Sequence, residues 1–358
     1  MGEGTVLVTG GAGFIGCALS EPLTRAFDRV VALDNLHPQI HAERRRPDAL
    51  AAGAELVVGD VRDASAWDTL LADVRPDVVI HLAAETGTGQ SLAESTRHGS
   101  VNVVGTTQLM DALHRHSADR GLPRRIVLAS SRAVYGEGAW RRPDGTVFYP
   151  PQRTASMVAG GRWDFDGEPL AMDARVVTPA PVSVYAATKL AQEHLLRVWG
   201  NALGVEVAVV RLQNVYGPGQ SLSNPYTGIL SLFARMARGG KTIPLYEDGA
   251  VRRDFVLIDD VASAVLAAAT SDAVSAVPLD IGSGEVQTIG TAASAIAAYY
   301  GAPEPVVTGQ FREGDVRHAW ADVSSAREVL GWTPRCGLDE GVRRLCDWIE
   351  RQPNVPPA

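Results

Sequence analysis

Tyr185 and Lys189 stand four residues apart in a run, 184–203, with helical patterning. That spacing puts a phenol and an ammonium on one face, about a turn apart. A phenol has a reference pKa near ~10 and is a poor base at neutral pH. A neighbouring cation favours its ionised form, so the pair could take a proton from a substrate hydroxyl and later return it. Ser130 and Ser131 follow Ile126-Val127-Leu128-Ala129 and fall at the end of an expected strand. Ser131 could donate a hydrogen bond to the reacting oxygen; a serine there could equally cap the backbone. A tyrosine and a lysine at this spacing arise easily by chance, so the pair takes its meaning from what lies upstream.

Upstream, Gly10-Gly11-Ala12-Gly13-Phe14-Ile15-Gly16 directly follows the apolar run Val6-Leu7-Val8. The useful spacing is Gly10, Gly13 and Gly16, GxxGxxG rather than GxGxxG. Gly10 can take the sharp strand-to-helix turn, Gly13 lets a phosphate approach the backbone, and Gly16 lets the helix pack closely on the sheet. The helix start then offers unpaired N–H groups to a pyrophosphate. A purely structural glycine turn has the same string. Asp34 ends Val30-Val31-Ala32-Leu33, at the tip of the second strand. A carboxylate there can accept from both adenosine ribose hydroxyls and would repel a 2′-phosphate, which favours NAD over NADP. Nicotinamide, with its positive charge, would further favour a tyrosinate at Tyr185, and Lys189 could bridge the nicotinamide ribose. Asp60 follows Leu56-Val57-Val58-Gly59 and could meet the adenine edge or form a turn. Leu82-Ala83-Ala84 suits close backbone approach to the cofactor, as an ordinary tight turn also would.

The elements that must position these residues alternate. Strands are expected at Val6–Val8, Val30–Leu33, Leu56–Val58, Val78–Leu82, Ile126–Ala129 and Val205–Arg211. Helices are expected at Ile15–Phe27, Ser65–Leu71, Val101–His116 and 184–203. Short, β-branched, apolar strands between helices point to an α/β fold: a doubly wound parallel sheet of Rossmann type, with ligands beyond the C-terminal strand ends. Residues 137–180 break the rhythm with Gly, Pro, Arg and Asp, and read as a large loop or small subdomain that serves as a lid or partner contact. After residue 217 the order is less regular. Tyr226–Arg238 and Asp259–Ala269 look helical, the latter capped by Asp259 or Asp260. Thr242–Leu245 and Asp254–Ile258 look extended, and Val277–Ile281, Thr288–Tyr300 and the amphipathic Leu338–Glu350 are the later segments. The expected division is a cofactor domain over 1–216, carrying the 137–180 insertion, and a smaller C-terminal substrate-binding lobe over 217–350, with helix 259–272 returning to the first domain.

Composition excludes several classes. The chain has 358 residues, 46% of them hydrophobic, and a formal net charge of −8. Arg44-Arg45-Arg46 is followed by Pro47 and reads as a solvated loop. The acidic balance argues against nucleic acid or an anionic membrane as partner. No apolar stretch reaches the length of a signal core or a membrane span. Cys17, Cys336 and Cys346 are widely spread without a CxxC pair, and His81 and the other histidines lack metal-ligand spacing. A disulfide framework and a metal site are both unexpected, and a cytoplasmic location fits.

At this point the chain resembles the extended short-chain dehydrogenase/reductase family, in its nucleotide-sugar epimerase and dehydratase group. The resemblance rests on the glycine turn, Asp34-Asn35, Gly59-Asp60-Val61-Arg62-Asp63, His81-Leu82-Ala83-Ala84, Ser130-Ser131-Arg132-Ala133-Val134-Tyr135-Gly136, and Tyr185 to Lys189. It continues through Arg211-Leu212-Gln213-Asn214-Val215-Tyr216-Gly217-Pro218-Gly219, Arg253-Asp254-Phe255-Val256-Leu257-Ile258-Asp259-Asp260-Val261 and Arg312-Glu313-Gly314-Asp315, so it covers nearly the whole chain. It implies Ser131, Tyr185 and Lys189 as catalytic residues. It implies NAD held by Gly10, Gly13, Phe14, Ile15, Gly16, Asp34, Asn35, Asp60, Val61, Leu82, Ala83, Ala84, Asn102, Tyr185 and Lys189. It implies a nucleoside-diphosphate sugar held by Thr86, Ser131, Asn214, Arg253 and Arg312, the arginines through charge-assisted bonds to diphosphate. Related dimers pair the helices that fall here on 101–116 and 184–203, so a homodimer is expected.

One departure bears on the reaction. Glucose-type 4,6-dehydratases of the family carry an acidic pair directly after the catalytic hydroxyl residue, where this chain has Arg132 and Ala133. Elimination of water would lack its acid and base, which favours an epimerase inverting hexose C4 through a transient 4-keto sugar. The insertion resembles that of some bacterial sugar-modifying epimerases. A nucleotide-sugar dehydratase or decarboxylase, epimerisation at C2, and a non-catalytic NAD-binding regulatory protein remain the alternatives.

Overall fold

The computed structural model describes residues 4–41, 43–222, 224, 228–312, 314–353 and 355. Seven parallel strands form the main sheet: β1 (Thr5–Thr9), β2 (Arg29–Asp34), β3 (Ala54–Val58), β4 (Val78–His81), β5 (Arg125–Ser131), β6 (Glu206–Leu212) and β7 (Leu279–Ile281). Their spatial order is β7-β6-β5-β4-β1-β2-β3, a doubly wound α/β arrangement. The period-2 alternation of strands explains why both faces need cover. Val6, Val8, Val30, Ala32, Val78, Ile80, Val127 and Val210 point into one core, and Leu7, Val31, Leu33, Val79, Ile126, Leu128 and Val209 into the other. Helix α1 (Phe14–Ala26) covers the first face; α2 (Ala64–Asp73), α3 (Gly105–Arg120) and α4 (Val184–Leu203) cover the second.

The stretch expected as one helix over Val101–His116 is helical from Ser95, with a π-helical turn at Gly99–Val104 before α3. Such turns often accompany functional sites, and here it buries Asn102 completely.

The smaller lobe has its own core, from α5 (Ile229–Arg238), α7 (Ile289–Tyr300) and α8 (Leu338–Glu350), centred on Phe233, Phe255, Ile296, Leu345 and Ile349. Its strands are paired fragments: Asn214–Tyr216 with Phe255–Leu257, Pro244–Leu245 with Val306–Val307, and Arg252–Arg253 with Gln287–Thr288. Helix α6 (Ile258–Thr270) packs on α1, and β7 then adds an edge to the main sheet beside β6. Neither Asp259 nor Asp260 caps α6. Leu257 holds the cap position, and Asp260, already inside the first turn, accepts from the backbone N–H groups of Arg335 and Cys336 at 3.1 and 3.0 Å. The first residues of the helix expected from Tyr226 lie outside the described residues, as does Glu313.

The insertion is a small subdomain. Trp140–Arg141 pairs antiparallel with Val147–Phe148 and with Glu168–Pro169, next to a short helix, Ala155–Ala159. Its apolar residues Ala139, Met172 and Val177 share a core with Val316 and Ala319 of the smaller lobe. Among the described residues, no helix is long and apolar enough to cross a membrane.

Candidate active site

The turn after β1 is shaped by backbone. Gly10 has φ +66°, and a Cβ there would lie 2.8 Å from the Ala83 nitrogen. A Cβ on Gly16 would lie 2.5 Å from the Gly11 carbonyl oxygen, so the close approach is of helix to turn. Gly11, not singled out from the sequence, is equally constrained: its Cβ would meet the Ala32 Cβ at 2.6 Å. Helix α1 starts at Gly13 with no side-chain cap and no acid in its first turn. By contrast, Asp63 caps α2 and Ser183 caps α4. The Asp34 carboxylate sits at the turn, accepting from Ala12 N–H at 3.0 Å and Leu36 N–H at 2.9 Å. Asp60 accepts a fork from Arg62 at 2.9 and 2.8 Å and a bond from Asn35 Nδ2 at 3.2 Å. Those Arg62 bonds lower its pKa to about 2. An uncapped helix start beside a side-chain-free turn, with a carboxylate at the next strand tip, fits the pyrophosphate and ribose of a dinucleotide.

Beyond the tip of β5, Ser131 and Tyr185 lie near each other, with Lys189 one turn along α4 from Tyr185. Ser131 ends β5, and its Oγ accepts from Ala133 N–H at 3.2 Å, so it does cap the following turn. The Tyr185 phenol lies nearby: the Ser131 hydroxyl and the Arg132 charge lower its pKa, and burial outweighs both and raises it overall. Lys189 is 3% exposed, and burial pushes its pKa down to about 7. Its Nζ donates to Gln192 Oε1 at 2.7 Å. Behind Ser131, Ser130 donates to Glu193, whose carboxylate takes a fork from Arg211 at 3.0 and 2.7 Å.

Asn102 differs from the expectation of a direct cofactor contact. Its Nδ2 donates to Glu85 O at 3.1 Å and Thr188 Oγ1 at 2.9 Å, and its Oδ1 accepts from Glu85 N–H at 2.7 Å. Both amide protons are taken within the protein, so Asn102 braces the loop after β4 against α4. Thr86 lies on that loop, its carbonyl 3.3 Å from His98 Nε2.

The opposite wall gathers Asn214, Arg132, Arg253 and Arg312. Arg253 is 4% exposed, and its terminal nitrogens already bond the carbonyls of Arg252, Val316 and Arg317 and the Asp315 carboxylate. In this arrangement only its Nε is left to meet a diphosphate. Arg132, not assigned a binding role from the sequence, is the freer cation. Its Nε donates to Asn214 Oδ1 at 2.7 Å, and its terminal nitrogens have no partner among the described residues. Desolvation and the like charge of Arg253 lower its pKa to about 10. Arg312 is exposed, 5.6 Å from the Tyr246 ring centroid, and lines a cavity of about 210 Å³ with Gln152, Arg153, Gly314 and Asp315. The insertion therefore reaches this wall. Arg153 forks onto Glu247 at 2.9 Å on both oxygens, and Asp164 pairs with Arg317 and His318. Nothing in local spacing signals these contacts, since the partners lie 94 and more than 150 positions apart.

A doubly wound sheet with an uncapped glycine turn after its first strand, and Tyr185 and Lys189 on one helical face near Ser131, defines a dinucleotide-dependent class of enzyme fold. The NAD dependent epimerase/dehydratase family model matches residues 6–282, and the chain belongs to that family. It is 56% identical over 97% of its length, and 95% of the relative's, to a dTDP-L-rhamnose 4-epimerase of Burkholderia thailandensis. Among solved structures, a UDP-glucose 4-epimerase of Thermotoga maritima with UDP-glucose superposes with a TM-score of 0.78 at 26% identity, covering 97% of this chain and 99% of that one. A Thermus thermophilus UDP-glucose 4-epimerase in complex with NAD gives 0.75 at 28% identity, with the same coverage.

Proposed function

We propose that this chain is an NAD-dependent nucleotide-sugar epimerase that inverts a hexose at C4. What supports the reading is Ser131 near Tyr185, Lys189 on the same helical face, the uncapped turn after β1, and Arg132 rather than an acid next to Ser131. NAD⁺, when bound along the turn, accepts a hydride from carbon and gives it back. Tyr185 takes the proton of the hexose 4-hydroxyl while Ser131 donates to that oxygen. Lys189 supplies the positive charge that brings the phenol, held up by burial, within reach of ionisation. The 4-keto sugar turns about its diphosphate bonds, and Tyr185 returns the proton to the inverted oxygen. Arg132, Arg253 and Arg312 hold the diphosphate while the sugar moves. The high identity to a dTDP-L-rhamnose 4-epimerase supports a 6-deoxyhexose on a deoxythymidine diphosphate as the first substrate to test. A panel of nucleotide sugars, read by mass spectrometry and NMR, separates isomerisation from loss of water or carbon dioxide. With a C4-deuterated substrate the inverted product should keep its label, and turnover in deuterated water should place no deuterium on carbon. Solvent deuterium at C5 or a dehydrated product would overturn the reading.

The same proposal includes a homodimer built on α3, with the π turn before it, and α4, where Val104 and Val198 are 46% and 71% exposed. Sedimentation should find a dimer that Val198→Glu splits. A cytoplasmic setting is supported by three free cysteines.

A further inference from the structure

A chain of buried polar groups runs from Lys189 back to the first strand. Lys189 Nζ donates to Gln192 Oε1 at 2.7 Å, and Gln192 Nε2 donates to Thr106 Oγ1 at 2.8 Å. Thr106 donates its one hydroxyl proton to the Asn102 carbonyl at 2.6 Å. His81 stands at the junction, its Nε2 2.9 Å from Thr106 Oγ1 and 3.4 Å from Gln192 Nε2, its Nδ1 2.7 Å from Thr9 Oγ1. Thr9 in turn accepts from Ala83 N–H at 3.2 Å, beside the Gly10 turn. Gln192, Thr106, His81 and Thr9 are all wholly buried.

The direction of the amide follows from its partners. An ammonium can only donate, so the amide oxygen faces Lys189 and the amide nitrogen faces Thr106. Thr106 has no proton left for the imidazole, so His81 donates its Nε2–H to Thr106 Oγ1, and its Nδ1 accepts from the Thr9 hydroxyl. Spacing i to i+3 keeps Lys189 and Gln192 on one helical face.

We infer that Gln192 is a positioning residue, fixing where the Lys189 ammonium stands on the helical face it shares with Tyr185, with a neutral oxygen that adds no opposing charge. The inference rests on the proposed roles of Tyr185 and Lys189. A carboxylate at 192 would hold the ammonium equally well, but it would cancel much of the field felt at the phenol. No carboxylate among the described residues lies within ion-pair distance of Lys189; the nearest on its helix, Glu193, is engaged by Arg211 and Ser130. The other charged or titratable groups around it are Tyr185 on its own helix, neutral His81 on β4, His98 on the Ser95–His98 turn, Arg132 after β5 and Arg211 on β6. The π turn and α3 present only the neutral Asn102 and Thr106.

The sequence makes this testable without turnover. Lys189 and Lys241 are the only lysines in the chain, and Lys241 is exposed. In full-length protein freed of cofactor, ¹³Cε-lysine NMR gives one buried and one exposed signal. The Lys189 signal should titrate near 7 in the wild type, about one unit or more higher in Gln192→Glu, and lower in Gln192→Met. In the NAD-loaded protein the alkaline limb of kcat should move the same way, with KM and bound NAD held within ~2-fold. A one-unit downward shift cuts kcat about tenfold above that limb in Gln192→Met. Thr106→Val, which frees the amide at nearly constant shape, should give a smaller shift of the Met sign. Unmoved Lys189 titrations in all three variants, with kcat, KM and melting temperature falling together, would overturn the inference. A moved titration with an unmoved rate profile would uphold the contact and overturn the catalytic reading of Lys189.

Discussion

The cofactor turn and the substrate wall lie at the same strand tips but are built by opposite means. The turn comes from thirty consecutive residues, β1 through β2, and its shape is set by backbone: Gly10, Gly11 and Gly16 have no room for a Cβ. The wall draws on residues around 132, 153, 214, 247–253 and 312–318, joined by side-chain charge. Glu247 bridges Arg153 and Arg317, both nearly fully buried, and holds a left-handed φ of 55° that a non-glycine residue adopts at a cost. A backbone turn tolerates almost no substitution, whereas a charged wall can be rebuilt one residue at a time. The first suits a cofactor common to many reactions, and the second suits the choice of sugar.

This contrast can be broken at several points. Tyr185→Phe removes the proton-transfer hydroxyl where the two regions meet. It should lower kcat by about 10²–10⁴-fold while NAD, judged by absorbance of the purified protein, stays bound. Retained activity would separate the two regions from any shared chemistry. Arg153→Met leaves Glu247 half-paired in a buried place, a loss on the order of 3–5 kcal/mol. Calorimetry should show reduced stability and a raised KM for the nucleotide sugar, with NAD affinity unchanged; a parallel loss of NAD binding would show that the wall and the turn are not independent.

Arg132→Ala is the sharper probe of the wall, because its terminal nitrogens are not already bonded. Removing a charge-assisted contact worth about 1.5–3 kcal/mol should weaken nucleoside-diphosphate binding about 10–150-fold. Arg253→Ala should weaken it too, but partly by loosening residues 315–317, so its melting temperature should fall further. Equal affinity in Arg132→Ala would remove this residue from the site. On the other side, Asp34→Ala should weaken NAD binding about tenfold, the worth of roughly 1.4 kcal/mol, and narrow its preference over NADP. An NADP preference in the unaltered protein would end the ribose assignment.

A further expected effect is a slope with pH. Burial, helped by the Lys189 charge, lowers the His81 pKa to about 3, well below its unfolded value near ~6.5. Between those values the unfolded chain binds a proton that the folded one does not, so stability must fall as pH drops from 6.5 toward 3. One such group contributes about 1.4 kcal/mol per pH unit. Urea titrations of the wild type against His81→Gln should differ by that slope and converge in slope above pH 7; identical slopes below pH 6 would mean that His81 is protonated in the fold.

Sequence alone carried the parts whose determinants are local. Apolar strands of period 2, helices between them and a glycine run after Val6–Val8 specify the doubly wound sheet and its turn. The four-residue spacing of Tyr185 and Lys189 specifies one helical face. The tertiary structure decided what depends on distant partners. β7 and α6 join the main sheet although they follow the start of the smaller lobe, because their apolar faces match an uncovered part of the first core. Arg253 spends little of its guanidinium outward and Arg132 most of it, a difference set by where the carbonyls of Val316 and Arg317 fall. Gln192 reads in the sequence as one more polar helical residue. Only packing against Thr106 and His81, on α3 and β4, turns its oxygen toward Lys189, because a buried amide must satisfy both of its ends.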